Sequence, residues 1–242
     1  MTAEPGLVEP LVAFAATTAL AAVLFWTARV VPILHRNLNA AIAVLFFYAP
    51  VLASRIAGRP FDFTEAGLTL RPLRAGAAAL GLAIAATFPL FIGGFFVFYG
   101  IVCADGLPAV VGRLCPGGWQ GLGGAHLRLP ADFALIAANQ VLVVALPEEL
   151  FFRGYLLQRL EARWPARRRL FGAPMGRAVL ASAVLFALGH VLVDFNPQRL
   201  AVFFPALVFG WLRARTGSLA AGVIFHASCN VLADVLHTSY FR

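Results

Sequence analysis

Three short groups of ionisable and hydrogen-bonding residues stand inside long apolar runs of this sequence. Their members are Glu148, Glu149 and Arg153 in LPEELFFRGYL, His190 in FALGHVL, and His226, Asn230 and Asp234 in FHASCNVLADVLH. A charge in the hydrocarbon core of a membrane costs at least about 2.5–3.5 kcal/mol, so an ionisable residue there is by default functional. Glu149 and Arg153 are four residues apart and can pair on one helix face, whereas Glu148 has no partner at that spacing.

Four of these residues have the chemistry that hydrolysis of an amide requires. An unpaired carboxylate in a low-dielectric setting has a raised proton affinity, so Glu148 suits a general base, and His190 can orient the water or share its proton. His226 and Asn230 can donate to the developing oxyanion, and one such donor is typically worth about 2.7–4 kcal/mol. The set predicts direct attack of water on a peptide carbonyl. For Glu149 and Arg153, an ion pair that only holds helices together remains an open alternative.

Other chemistries fit the same residues less well. Two histidines and a glutamate can bind zinc, but the HExxH helix motif of zinc proteases is absent, so we expect no metal and no other cofactor. Cys229 lies three residues from His226, yet nothing beside it would lower the pKa of a nucleophilic thiol. No serine lies in a GxSxG context, which argues against a triad enzyme.

The elements that must position these residues are membrane-spanning helices. Of the 242 residues, 61% are hydrophobic and 12% are charged, whereas soluble domains are about a quarter charged. The apolar runs reach about twenty residues, enough to cross about 30 Å of hydrocarbon. We predict an all-α polytopic transmembrane bundle of about seven spans (six to eight) that forms one integral membrane domain over 1–242. The predicted spans are 11–34, 38–54, 75–102, 131–158, 178–195, 199–214 and 217–237.

The arginines predict how the bundle lies in the membrane. Net charge is +8, and basic loops of membrane proteins stay in the cytoplasm beside anionic lipid, so the bilayer rather than nucleic acid is the expected partner. The loops 55–74 and 159–177, with Arg213 and Arg215 between the sixth and seventh spans, hold most of the arginines and share one side if there are seven spans. This places the N-terminus in the cytoplasm and the C-terminus outside. Cys103 and Cys115 share a loop on the opposite side and can pair in an oxidising compartment.

Depth along the helices supports a common site. Counted from the basic ends of their spans, Glu148, His190, His226 and Asn230 lie within about 6 Å of one another along the membrane normal at 1.5 Å per residue. The side chains come from three separate spans. Three helices can therefore present these groups to one small volume.

At these residues the sequence resembles the CPBP family of intramembrane proteases, which includes the Rce1-like CAAX prenyl proteases and the bacterial ABI proteins. The family's EExxxR, FxxxH and HxxxN/D motifs correspond to residues on three predicted spans. The resemblance covers about 131–237, the expected catalytic core. In order, the matching residues are Glu148, Glu149 and Arg153, then Phe186 and His190, then His226 and Asn230.

The resemblance implies a glutamate-dependent intramembrane endopeptidase that cleaves a membrane-associated protein or peptide near its C-terminus. Glu148 and His190 would activate water, His226 and Asn230 would form the oxyanion site, and Glu149, Arg153 and Phe186 would support them. Because every basic residue is arginine, we expect a bacterial member in the inner membrane. Two alternatives stay open: a non-catalytic scaffold or bacteriocin-immunity protein that retains the motifs, and a transporter or proton relay.

Overall fold

The computed structural model describes residues 6–103, 115, 117–121 and 127–241. The described chain is a bundle of helices with one two-stranded hairpin. We number its helices α1 to α8: Val8–Ala28, Pro32–Arg36, Leu38–Ile56, Leu73–Val102, Phe133–Arg163, Arg177–Asp194, Phe203–Thr216 and Ala220–Tyr240. Six of them, α1, α3, α4, α5, α6 and α8, are long and apolar enough to cross a membrane. The prediction of a helical transmembrane bundle is confirmed, and the protein is an integral membrane protein.

The helix within the predicted span 199–214 is shorter than a full-length membrane-spanning helix. Its first part is a 3₁₀ segment, Pro197–Val202, and the helix that follows, α7, has 14 residues. At 1.5 Å per residue such a helix is about 21 Å long, shorter than the hydrocarbon layer. Gly217, with φ of +70°, ends the helix in the left-handed conformation. The helix packs between α6 and α8 in the bundle interior, which hydropathy alone does not reveal.

Helix α5 is irregular where it carries its charged residues. The segments Gln140–Ala145 and Leu150–Leu156 are π-helical and flank a short α-helical stretch, Leu146–Glu149. Pro147 lies in that stretch and has no N–H to donate to the preceding turn, so the helix there cannot keep its regular bonding pattern. A π-helical turn widens the helix and rotates the side chains that follow it. The proline and the widened turns together set the direction of Glu148.

The C-terminal half of α5 is the centre of the core. Every residue of Leu150–Leu156 is buried, and the helix packs against α1, α3, α6 and α7. Phe151 and Phe152 contact Phe46 of α3, with ring centroids 5.4 and 5.8 Å apart. Phe152 also meets Phe186 of α6 edge to face at 4.9 Å. Aromatic packing therefore fixes α5 against both sides of the bundle.

Three loops interlock at one end of the bundle, which we call the basic end. Leu219 donates its backbone N–H to the Gly67 carbonyl oxygen at 2.8 Å, and Arg213 donates to the Glu65 carbonyl oxygen at 3.2 Å. Arg215 donates to the Phe171 carbonyl oxygen at 3.2 Å. Phe171 lies in the turn between strands β1, Arg168–Leu170, and β2, Ala173–Met175, which pair antiparallel. The loops before α4, before α6 and before α8 thus share one end.

The other end, which we call the disulfide end, holds the opposite termini of the long helices. Cys103, directly after α4, is bonded to Cys115. Residues Trp119 and Phe241 form an isolated β-bridge, and Arg128 donates its N–H to Ser239 at 2.9 Å. Arg113, Arg242 and most of the loop 103–130 lie outside the described residues.

Candidate active site

Three helices bring Glu148, His190 and His226 together. Glu148 lies on α5 at the widened turns, His190 one helical turn before the end of α6, and His226 in the second turn of α8. Glu148 Oε2 lies 3.9 Å from Nε2 of His190 and 3.9 Å from Nε2 of His226. One carboxylate oxygen is therefore faced by imidazole nitrogens from two other helices.

Glu148 Oε2 accepts no direct hydrogen bond from the described residues. Its side chain is 14% exposed, and Oε2 is buried with no hydrogen-bond partner among the described residues. A buried acceptor that stays unpaired costs about 1–3 kcal/mol, more for a charged group. A buried polar atom without a partner requires an explanation, and the two 3.9 Å gaps are too long for direct hydrogen bonds.

The hydrogen bond of Nδ1 determines which tautomer of each histidine is present. His190 Nδ1 lies 2.9 Å from the Phe186 carbonyl oxygen, and His226 Nδ1 lies 3.1 Å from Glu149 Oε1. A carbonyl and a carboxylate oxygen only accept, so both Nδ1 atoms must carry the proton. In the neutral imidazoles the two Nε2 atoms are then proton acceptors, and both are directed at Glu148.

Glu149 links the site to the core through Arg153. The two side chains are 1% exposed and form an ion pair at 3.0 Å, as their spacing predicts. Arg153 also donates to the Ala206 carbonyl oxygen of α7 at 3.2 Å. Because Glu149 Oε1 meets both Arg153 and His226, the carboxylate joins α5 to α8, and its partner Arg153 joins α5 to α7. The cost of burying these charges is offset only while the whole network is intact.

Aromatic rings enclose the network. The His226 ring stacks on Phe209 of α7, with centroids 4.6 Å apart and an interplanar angle of 16°. The Phe186 ring lies 4.5 Å from the His190 ring and 4.4 Å from the Arg153 guanidinium carbon. The guanidinium is 4.8 Å from the Phe209 ring. These rings fix the histidine planes and favour the nearby cation.

Asn230 has a partner that the sequence analysis missed. Its Nδ2 donates to Gln140 Oε1 at 2.9 Å, and Gln140 Nε2 lies 3.5 Å from Asp234 Oδ2. Among the described residues, Asn230 makes no hydrogen bond to Glu148, His190 or His226. Gln140 precedes Glu148 by eight residues, about two helical turns, in an apolar run. A polar residue on the same face of a predicted span was the signal that could have found it.

No group of three or more His, Cys, Asp or Glu side chains in the described part of the chain is arranged to hold a metal ion. Glu148 and the two histidines offer three ligand atoms of the right chemistry for zinc. Each distance from the carboxylate oxygen to an imidazole nitrogen is 3.9 Å, so these atoms face one another without direct contact. Treatment of the protein with a chelator therefore tests whether the site uses a metal ion.

Comparison with known proteins gives one family match, and it falls on this region. Residues 130–232 match the family described as Rce1-like, "Type II CAAX prenyl endopeptidase Rce1-like". The match contains all seven motif residues discussed above and ends before the last turns of α8. No curated protein matches the chain significantly, and no solved structure does.

Proposed function

We propose that this chain, whose region 130–232 matches the Rce1-like family, is a glutamate-dependent intramembrane endopeptidase. The family and the six apolar helices indicate a membrane protease; the mechanism and the substrate are the proposal. The observation that carries it is the orphaned Oε2 of Glu148, faced at 3.9 Å by Nε2 of two histidines from two other helices.

Glu148 is the general base and His190 its helper. A water placed to one side of each 3.9 Å gap can lie about 2.8 Å from the carboxylate and from an imidazole nitrogen at once. It donates one hydrogen to Glu148 and the other to Nε2 of His190. As its oxygen bonds to the scissile carbonyl carbon, one proton passes to Glu148, and the carbonyl oxygen takes up the negative charge.

His226 and Asn230 stabilise that oxyanion. Asn230 uses one of its two N–H groups on Gln140, so the second is free to donate. Neutral His226 has no proton on Nε2, so it donates to the oxyanion as an imidazolium, the form that has taken a second proton from solvent before the reaction. Glu149 at its Nδ1 stabilises that cation and holds the ring orientation, as the carboxylate of a catalytic triad does. Collapse of the intermediate breaks the C–N bond, and the proton held by Glu148 passes to the leaving amine.

The substrate in this proposal is a membrane-anchored protein or peptide cut near its C-terminus. A site lined by spanning helices is reached most readily by a chain already confined to the bilayer. The orientation expected from the arginines, with the N-terminus cytoplasmic, and the bacterial inner membrane as location belong to the same proposal.

Replacement of Glu148 by glutamine tests the mechanism. The change keeps the shape of the side chain and removes the base, so cleavage of a panel of membrane-anchored peptides should fall by about 10²–10⁴-fold. The matched control is Glu65→Gln, an exposed glutamate at the basic end, which should cleave at the wild-type rate. Thermal unfolding of both variants in detergent checks that the fold is intact.

Two results would contradict the proposal. Undiminished cleavage by Glu148→Gln would remove the glutamate mechanism, and loss of cleavage on treatment of the wild type with a chelator, restored by zinc, would make His190 and His226 metal ligands. A Glu148→Gln variant that keeps the biological effect of the protein in cells would favour the scaffold or immunity alternative.

A further inference from the structure

A cavity connects Glu148 with one end of the bundle. It has a volume of about 220 Å³ and lies between α1, α3, α5 and α6. Its inner part is formed by Glu148, His190 and the buried rings of Phe46 and Phe152. From there it continues along the last turns of α1 and α6 and the first turns of α3. The cavity thus begins at the proposed base itself.

The outer part of this cavity carries three polar side chains. It is lined there by Asn39, Asp194 and Arg199, of which Asn39 is exposed and the Arg199 side chain is 48% exposed. Arg199 Nε donates to Asp194 Oδ2 at 2.9 Å. A charged pair and an amide at the rim keep the opening hydrated, so water and a peptide backbone can both enter without crossing hydrocarbon.

The rim lies at the disulfide end. Helix α1 ends beside the end of α6, where Trp26 Nε1 donates to the Val193 carbonyl oxygen at 3.1 Å. The loops of the basic end join the other termini of the long helices: the end of α3 to the start of α4, the end of α5 to the start of α6, and the end of α7 to the start of α8. The cavity therefore opens away from the basic end.

Two independent features assign the sides of the membrane. The basic end carries most of the arginines, namely Arg55, Arg59, Arg71, Arg74, Arg159, Arg163, Arg167, Arg168, Arg169, Arg177, Arg213 and Arg215. The described residues of the other end contribute Arg29, Arg36, Arg128 and Arg199. An excess of arginine in short loops marks the cytoplasmic side. A disulfide persists in an oxidising compartment, and Cys103–Cys115 lies at the opposite end.

We infer that the site takes its substrate from the extracytoplasmic side of the membrane. The substrate class is a membrane-anchored protein whose scissile bond lies on that side, just outside its anchoring segment. That a substrate enters here rests on the proposed function, but the position of the cavity opening does not depend on that function. A protease with this geometry trims proteins after their translocation rather than cytoplasmic tails.

Labelling of single cysteines in intact cells tests where the cavity opens. In a Cys229→Ser background that keeps the disulfide, Asn39→Cys reports the rim and Arg168→Cys, exposed on β1, reports the basic end. A membrane-impermeant maleimide should label Asn39→Cys in intact cells to nearly the extent seen after permeabilisation. Arg168→Cys should be labelled only after permeabilisation. The measured quantity is the ratio of labelling in intact cells to labelling after permeabilisation. An equal ratio at the two positions, or a higher ratio for Arg168→Cys, would overturn the inference whether or not the protein is a protease.

Blocking the rim tests whether substrate uses this opening. A polyethylene-glycol maleimide on purified Asn39→Cys should lower cleavage of a membrane-anchored peptide by about tenfold or more relative to the same unmodified variant, since a bulky group excludes the peptide. The same adduct on Gln120→Cys, exposed at the same end outside the cavity, should leave cleavage unchanged. Equal cleavage by modified and unmodified Asn39→Cys would overturn this route while leaving the Glu148 result standing.

Discussion

At the scale of single residues, the site contains two carboxylates in adjacent positions with different environments. Glu149 is fully enclosed and shared by Arg153 and His226. Both carboxylates have an Oε2 without a hydrogen-bond partner among the described residues, but Glu148 is 14% exposed and its Oε2 faces two histidines at 3.9 Å. Paired titratable groups whose environments differ in this way can take different roles. We assign charge balance and orientation to Glu149 and proton transfer to Glu148.

The buried pair can be tested by a double-mutant cycle on unfolding. Arg153→Met keeps the volume of the side chain but leaves Glu149 as an uncompensated charge, so we expect a loss of about 3–5 kcal/mol in the free energy of unfolding. Adding Glu149→Gln should recover part of that loss, because the unpaired charge is removed. Denaturant unfolding in detergent measures both. Additive losses in the double variant would show that the two side chains do not act as a pair.

At the scale of elements, the short helix α7 fixes the position of the aromatic ring under His226. It approaches α6 closely because Gly210 faces Val179: a Cβ at position 210 would lie 2.6 Å from Cγ1 of Val179. Valine is stiff at χ1 and cannot move aside cheaply. The close approach brings Phe209 onto His226 and the Ala206 carbonyl oxygen onto Arg153.

Gly210→Ala should therefore weaken the protein. Overpacking of this kind typically costs about 1–3 kcal/mol, and separation of α7 from α6 should also lower cleavage by loosening His226. Gly81→Ala on α4 is the matched control, because no atom beyond its own stretch of helix backbone lies within 4 Å of a Cβ built there. Thermal unfolding and peptide cleavage measure the two effects. A melting temperature as low for the control as for Gly210→Ala would contradict the packing argument.

At the scale of the whole molecule, the two ends of the bundle have different chemistry. Hydrogen bonds between loops hold the basic end together. A disulfide and a group of aromatic rings hold the other end, including Trp119 stacked on Tyr240 with centroids 5.5 Å apart. The site lies between them and is formed by residues of α5, α6 and α8. The disulfide therefore stabilises the bundle without forming part of the site.

Reduction should separate stability from activity. The Cys103–Cys115 bond closes a short loop, and opening one of this size should cost up to about 3 kcal/mol. The melting temperature of the wild type should fall on treatment with reductant, and that of a Cys103→Ser, Cys115→Ser variant should not respond. At a temperature where the oxidised and the reduced wild type are both folded, their cleavage rates should be the same. Cys229→Ser, which lacks only the free thiol, should respond to reductant as the wild type does.

The sequence by itself determined the helical membrane class, the Rce1-like region and the pairing of Glu149 with Arg153. These follow from local facts: runs of apolar residues, motif spacing and the four-residue helical repeat. The catalytic roles of Glu148, His190, His226 and Asn230, and the single domain over 1–242, remain predictions.

Only the tertiary structure decided which groups meet across helices. The tautomers of the histidines, the bond of Gln140 to Asn230, the reduced length of α7 and the side on which the cavity opens depend on how neighbouring helices rotate and pack. Helical spacing gives the face of one helix but no information about the rotation of the next. Side-chain packing fixes that rotation, and the packing exists only in the folded chain.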